Sequence, residues 1–135
     1  MKKKVLEFAR TDLITKPMTA SIQDIAKIMK EGIIGSVFLT GKGGKIEGFI
    51  ADRAIFALIA EGKNPLLAKP ADLMEKIVTV PQDTPALEVL ELMNQKSIMR
   101  VGITNEEGTL IGIVSKKKLQ FEQQRILRDE LGIED

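Results

Sequence analysis

The chain repeats itself at an offset of 64 residues, and this repeat limits the folds that it can adopt. Residues 14–55 align with residues 78–119 without a gap, and apolar positions match in kind along both copies. Identical pairs include Thr15/Thr79, Pro17/Pro81, Met29/Met93, Val37/Val101, Thr40/Thr104, Gly44/Gly108 and Gly48/Gly112. The sequence therefore predicts two copies of one supersecondary unit. A length of 135 residues favours packing of both copies around one shared core.

Each copy predicts the same element order, β-α-β-β-α. A short extended segment ends at a proline, whose fixed φ angle and missing N–H terminate a strand. An amphipathic helix follows, and two β-rich segments joined by a glycine-containing turn then predict a hairpin. A closing helix ends near Gly62 in the first copy and near Gly132 in the second. The predicted fold class is α/β (α+β).

The residues at the helix starts differ between the copies. In the first copy, Ser21 and Asp24 predict a start resembling a capping box, and Gly32 lies just past the predicted helix end. In the second copy, Thr84 is the predicted N-cap and Pro85 the first helical residue. Both helices are predicted to bury one apolar face, with the paired methionines in the core.

Composition excludes several classes of function. The chain has neither cysteine nor histidine, which removes thiolate chemistry, the usual general base at neutral pH and the commonest transition-metal ligand. We therefore expect a protein that is not an enzyme and binds no metal. A net charge of +1 provides no overall basic field, so nucleic acid is not an expected partner. The start "MKKKVLEFARTDL" lacks a secretory h-region and no segment is apolar enough to span a bilayer, so we expect a cytoplasmic protein without membrane attachment.

The doubled pattern resembles a tandem pair of CBS (cystathionine-β-synthase) domains, also called a Bateman module, of the small stand-alone prokaryotic or archaeal type. The second copy carries this pattern in "PADLMEKIVTVPQDTPALEVLELMNQKSIMRVGITNEEGTLIGIVSKKKL". The resemblance implies a first CBS domain at residues 6–62, a second at residues 70–120, and an extension of the last helix at residues 121–135. It also implies that the two domains pack about a pseudo-twofold axis.

The resemblance implies a regulatory module that senses a ligand without catalysing a reaction. Many family members bind adenosine-containing nucleotides in the clefts between the two domains. AMP, ADP or ATP are thus the expected ligands, and no cofactor is obligatory. Family members usually form homodimers, and an effector protein outside this chain would read the signal. The alternative is a structural or dimerisation module that has lost nucleotide binding.

The family pattern places a hydroxyl residue near the phosphates and an Asp, three residues later, on the ribose. The hydroxyl position is Ser115 in the second copy and Ala51 in the first, whereas the Asp position is Lys118 and Ala54. An ammonium group only donates hydrogen bonds, so the second copy is predicted to recognise phosphate by charge, together with Arg100. The candidate ligand-binding residues are Thr15, Lys16, Thr79, Val80, Pro81, Met99, Arg100, Val101, Ser115, Lys117 and Lys118.

Several of these residues also have a purely structural interpretation, which the sequence leaves open. Lys116 and Lys117 would be solvated at the start of a surface helix, and Ser115 would cap that helix. Arg100 would pair with Glu106 or Glu107, and the paired threonines would simply suit strands. In the first copy, "TGKGGK" lies in a hairpin turn, so it does not predict a phosphate loop, and Asp52 is predicted in the first turn of the closing helix.

Overall fold

The computed structural model describes residues 2–132, and its elements follow the repeat. The first copy contains β1 (Thr15–Pro17), α1 (Ile22–Gly32), β2 (Ser36–Thr40), β3 (Ile46–Ala51) and α2 (Asp52–Ala60). A short helix, α3 (Pro70–Leu73), precedes the second copy, which contains β4 (Thr79–Pro81), α4 (Ala86–Lys96), β5 (Arg100–Thr104), β6 (Leu110–Ser115) and α5 (Lys116–Leu131). Among residues 2–132, no helix combines the length and the apolar character needed to cross a membrane.

The strands form two three-stranded sheets with the same topology. In the order β1-β2-β3 and β4-β5-β6, the first pair of each sheet is parallel and the second pair is antiparallel. The registers also correspond, because Thr15 lies opposite Phe38 and Thr79 opposite Gly102. Each antiparallel pair has one irregularity, before Thr40 and before Thr104. The predicted β-α-β-β-α order and the mixed α/β class are confirmed.

The chain divides into two compact units, and the segment that precedes each repeat belongs to the unit of the other repeat. One unit combines the described residues of Met1–Leu13 and Ile77–Asp135, and the other is Ile14–Lys76. In the first of these units, the backbones of Arg10 and Ile113 exchange hydrogen bonds of 2.9 and 3.0 Å. In the other unit, Phe49 and Glu75 do the same at 3.0 and 2.8 Å. The sequence prediction, with domains at 6–62 and 70–120, did not anticipate this exchange.

Each unit has a core cluster of its own, whereas the sequence length had favoured one compact unit. The cluster of the unit that contains the second repeat consists of Val5, Val80, Ala86, Val89, Leu90, Met93, Val101, Ile103, Val114 and Leu119. The cluster of the other unit consists of Ile22, Ile25, Met29, Val37, Leu39, Ile50 and Ile55. The predicted core positions of the paired methionines are confirmed. The predicted extension 121–135 continues as α5 to Leu131, and residues 133–135 lie outside the described residues.

The helix starts agree with the sequence prediction in one copy only. Ser21 caps α1, because its Oγ accepts the N–H of Asp24 at 3.1 Å. The prediction that Thr84 caps α4 was wrong, since its hydroxyl donates to the carbonyl of Pro81 at 2.7 Å and closes a turn after β4. Pro85 is the N-cap residue, with ψ at 138°, and α4 therefore begins one residue later than predicted.

Both amphipathic helices end in a left-handed residue that is not glycine. Gly32 is the last residue of α1, and Ile33 follows it with φ at 51° and ψ at 50°. Ser97 occupies the equivalent position after α4, with φ at 55°. The left-handed region costs a β-branched residue about 1–2 kcal/mol, because Cβ approaches the following carbonyl. The end of α1 is therefore strained.

Replacing Ile33 with glycine is expected to raise the free energy of unfolding by about 0.5–1 kcal/mol. The isoleucine is 93% exposed, so its removal loses little packing while the left-handed strain is relieved. Urea denaturation of the two proteins measures the difference. Ile34→Gly is the control, because Ile34 packs against the core cluster and its loss should destabilise the protein. Equal destabilisation by both variants would contradict the prediction.

Candidate functional site

The candidate site lies at the edge of the second sheet where β6 passes directly into α5. Arg100, the first residue of β5, lies opposite Ser115, the last residue of β6. The N–H of Lys116 donates to the carbonyl of Met99 at 2.8 Å, which holds the start of α5 against the residue before β5. The fold thus brings together Met99, Arg100 and Ser115 at one helix start.

Ser115 is the N-cap of α5. Its Oγ accepts the N–H of Lys118 at 3.1 Å. The structural interpretation of this serine is thereby confirmed. Capping uses a lone pair of the hydroxyl and not its O–H, so the same side chain is able to donate to an anion. Ser115 is therefore able to cap α5 and to contact a ligand at the same time.

The electrostatics of this helix start differ from those of the other helices. The first turn of α5 is made of Lys116, Lys117 and Lys118. The first turns of the other α-helices each contain a carboxylate, in the order Asp24, Asp52, Asp72 and Glu88. The macrodipole already makes a helix N-terminus positive, so cations there repel it and an anion stabilises it.

Lys118 contacts a buried carboxylate that the sequence analysis missed. The Lys118 Nζ lies 3.0 Å from Glu122 Oε1, and Arg125 lies 2.8 Å from Oε2 through Nη2. The Arg125 and Lys118 hydrogen bonds lower the pKa of Glu122, although burial opposes them, and Glu122 in turn raises the pKa of Arg125. The i, i+4 and i, i+3 spacings of these residues were the available sequence signal.

The candidate residues of β4 and of the start of β5, including Met99 just before it, divide into exposed and buried side chains. Thr79 and Pro81 are exposed, and Met99 is 37% exposed. Val80 and Val101 belong to the core cluster instead, so their side chains are not available to a ligand. The Val80 carbonyl accepts the hydroxyl of Thr104 at 3.4 Å, which further limits that backbone.

The remaining candidates, Thr15 and Lys16, lie in β1 and thus in the other unit. Thr15 is exposed and Lys16 is partly buried. The carbonyl of Lys16 accepts the hydroxyl of Thr40 at 3.5 Å, which repeats the contact between Thr104 and Val80. β1 and β4 therefore each accept a threonine hydroxyl at the same backbone position, although the side chains there, Lys16 and Val80, differ in polarity.

The start of α2 is equivalent to the start of α5, but its first turn contains a carboxylate, which the first turn of α5 lacks. Asp52 occupies its first turn, as predicted, and Oδ1 accepts the N–H of Arg53 at 2.7 Å. Arg53 in turn pairs with Glu75 at 2.7 Å. This helix start therefore already holds a carboxylate of its own. Within residues 2–132, no group of three or more acidic, histidine or cysteine side chains is placed to hold a metal ion.

Comparisons with known proteins agree with this architecture. The family model described as the CBS domain matches residues 5–61 and 71–122. Protein MK0525 of Methanopyrus kandleri is 35% identical over 115 residues, which cover 84% of this chain and 59% of that protein. The chain thus spans less than two thirds of the length of this relative.

Solved structures show the same fold. A CBS domain protein from Pyrobaculum aerophilum, complexed with AMP, has a TM-score of 0.78 at 23% identity, covering 93% of this chain and 96% of that one. The CBS domain pair of protein MJ0100, in complex with 5′-methylthioadenosine and S-adenosyl-L-methionine, has a TM-score of 0.77 at 22% identity, covering 92% and 98%. Because the family model matches both repeats and most of the chain, this protein belongs to the CBS domain family and contains two CBS domains in tandem.

Proposed function

We propose that this CBS domain pair is a non-enzymatic regulatory module that binds an adenine nucleotide or a related phosphorylated ligand at the start of α5. The observation that carries the proposal is a helix start made of lysines beside Arg100 and the capping hydroxyl of Ser115. Structural relatives in complex with AMP or with S-adenosyl-L-methionine support an adenosine-containing ligand. An effector protein outside this chain would read the bound state.

The proposed recognition uses charge where the family pattern uses a carboxylate. Lys118 stands at the position of the ribose Asp, and an ammonium group cannot accept the two hydrogen bonds of a cis-diol. It does favour phosphate oxygens, as do Arg100, the Ser115 O–H and the backbone N–H groups of the helix start. The adenine would contact the exposed Thr79, the backbone of β4 and the partly exposed Met99.

We further propose that one such ligand binds per chain. The equivalent helix start in the other unit carries Asp52, and its cation Arg53 is paired with Glu75. The positions equivalent to Arg100, Ser115 and Lys118 are Ser36, Ala51 and Ala54. An anion would meet a carboxylate and no cluster of cations there, so phosphate is expected to bind at α5 and not at α2.

The second candidate function is a structural or dimerisation module. It is favoured by the replacement of the ribose Asp in both copies and by large apolar side chains on the surface. Those more than half exposed include Ile33, Phe56, Ile59, Leu66, Leu67, Phe121 and Leu131. Side chains of this kind on the closing helices would suit a homodimer, which we propose as the assembly under either function.

Calorimetric titration with AMP, ADP, ATP and S-adenosylmethionine, at low salt and with the oligomeric state measured, tests the proposal. The expected result is micromolar binding of at least one phosphorylated nucleotide, with one ligand per chain and weaker binding of S-adenosylmethionine. Two equal sites per chain would contradict the proposed difference between the helix starts. Absence of binding across the panel would favour the dimerisation module.

A further inference from the structure

Glu122 is a buried carboxylate on α5, a helix whose other residues are mostly exposed. The residue is 6% exposed, whereas its neighbour Phe121 is 61% exposed. Removing a carboxylate from water is unfavourable unless cations and hydrogen bonds compensate it, and an apolar residue at such a site is often at least as stable. Leu58 occupies the equivalent position of the first repeat, so this fold accepts an apolar side chain there. Burial of Glu122 therefore calls for an explanation other than packing.

Both oxygens of Glu122 are engaged by cations of α5. Oε1 contacts the Lys118 Nζ at 3.0 Å, and Oε2 accepts from Arg125 at 2.9 Å through Nε and at 2.8 Å through Nη2. These contacts lower the pKa of Glu122, so the carboxylate is ionised at neutral pH. The negative charge of Glu122 therefore compensates part of the positive charge of Lys118 and Arg125 near the start of α5.

The two sides of the Lys118–Glu122 pair differ in their access to solvent. The Lys118 side chain is 48% exposed, whereas that of Glu122 is 8% exposed. A phosphate approaching from solvent reaches the ammonium and must share it with a carboxylate that is itself largely shielded from water. Each further negative charge on the ligand is repelled by the same carboxylate.

We propose that Glu122 determines the charge preference of the ligand site, by withholding Lys118 and Arg125 from the ligand and so reducing the affinity gained with each added phosphate. This inference rests on the proposed function. It assigns Glu122 a role in specificity without direct contact with the ligand. Removal of its charge should strengthen binding, and should do so more for ATP than for AMP.

The test compares the affinities of wild type and Glu122→Gln for AMP, ADP and ATP at two salt concentrations. The glutamine keeps the shape of the side chain and removes its charge. We expect the affinity to rise about threefold for AMP and tenfold or more for ATP, with a steeper salt dependence. Asp129→Asn is the matched control, because Asp129 lies 4.0 Å from Arg125 on the same helix and should change each affinity less than twofold.

Glu122→Leu is the second variant in case the buried amide impairs folding, and it should give the same order of effects. An equal change for all three nucleotides, or a loss of affinity, would contradict the inference. Wild-type binding that depends on Arg100 but is unchanged in both Glu122 variants would reject the inference alone. Binding by the variants but not by wild type would support the inference and reject the proposed function for wild type. If neither wild type nor any variant binds AMP, ADP or ATP, both the inference and the proposed function are rejected.

Discussion

Replacing Gly48 with alanine is expected to lower the free energy of unfolding by about 3 kcal/mol. A Cβ on Gly48 would lie 2.5 Å from Met74 Cγ and 2.6 Å from the Glu75 carbonyl oxygen. The methionine side chain is able to move, but the carbonyl is held because Glu75 and Phe49 exchange two backbone hydrogen bonds. The added methyl group must therefore separate the Met74–Glu75 segment from β3.

The second repeat provides a matched control for this substitution. Gly112 is the equivalent glycine, and a Cβ there would lie 3.3 Å from Ala9 Cβ and from the Arg10 carbonyl oxygen. A shift of a few tenths of an ångström accommodates such a contact, so Gly112→Ala should cost about 1 kcal/mol or less. Chemical denaturation of both variants measures the difference. Equal stabilities would show that the Met74–Glu75 segment is not held as tightly as these contacts indicate.

Replacing Arg100 with alanine is expected to weaken nucleotide binding by about 10- to 100-fold, because a charge-assisted hydrogen bond to phosphate contributes about 1.5–3 kcal/mol. Arg100 stands opposite Ser115 at the point where β6 enters α5, so its loss removes a cation from the proposed anion site. Calorimetric titration of the variant with the best-bound nucleotide provides the measurement.

Arg53→Ala is the control for Arg100→Ala. Arg53 stands in the first turn of α2, is exposed and pairs with Glu75, so its loss removes the same charge from the other unit. Its affinity for nucleotide should stay within about twofold of wild type. Equal losses in the two arginine variants would indicate a non-specific effect of net charge and would contradict recognition at α5.

Much of the fold follows from local sequence patterns. The proline strand ends, the serine cap of α1 and the glycine end of α5 are where the sequence predicts them. These features depend on backbone geometry and on hydrogen bonds within a few residues, which a single sequence displays. The start of α4 was misplaced because Thr84 has a competing local partner, the carbonyl of Pro81.

The candidate site was only partly predictable for a related reason. The capping serine, the lysines after it and the position of Asp52 could be read from the repeat. The burial of Val80 and Val101 depends on which face of each strand meets the core, and that is settled by packing. Glu122 resembles any exposed helical glutamate in the sequence, and its burial is seen only in the folded chain.

The two β-α-β-β-α copies are predictable from the sequence alone, because hydrophobic periodicity, prolines and glycines act over short distances. Tertiary contacts are needed to show that the described residues of Met1–Leu13 join the unit of the second repeat and that the segment ending at Lys76 joins the other. The open edge of a sheet accepts any extended segment with free N–H and C=O groups, so local sequence leaves its partner undetermined. The choice depends on side chains distant in sequence, such as the Met74 and Ala9 that meet Gly48 and Gly112.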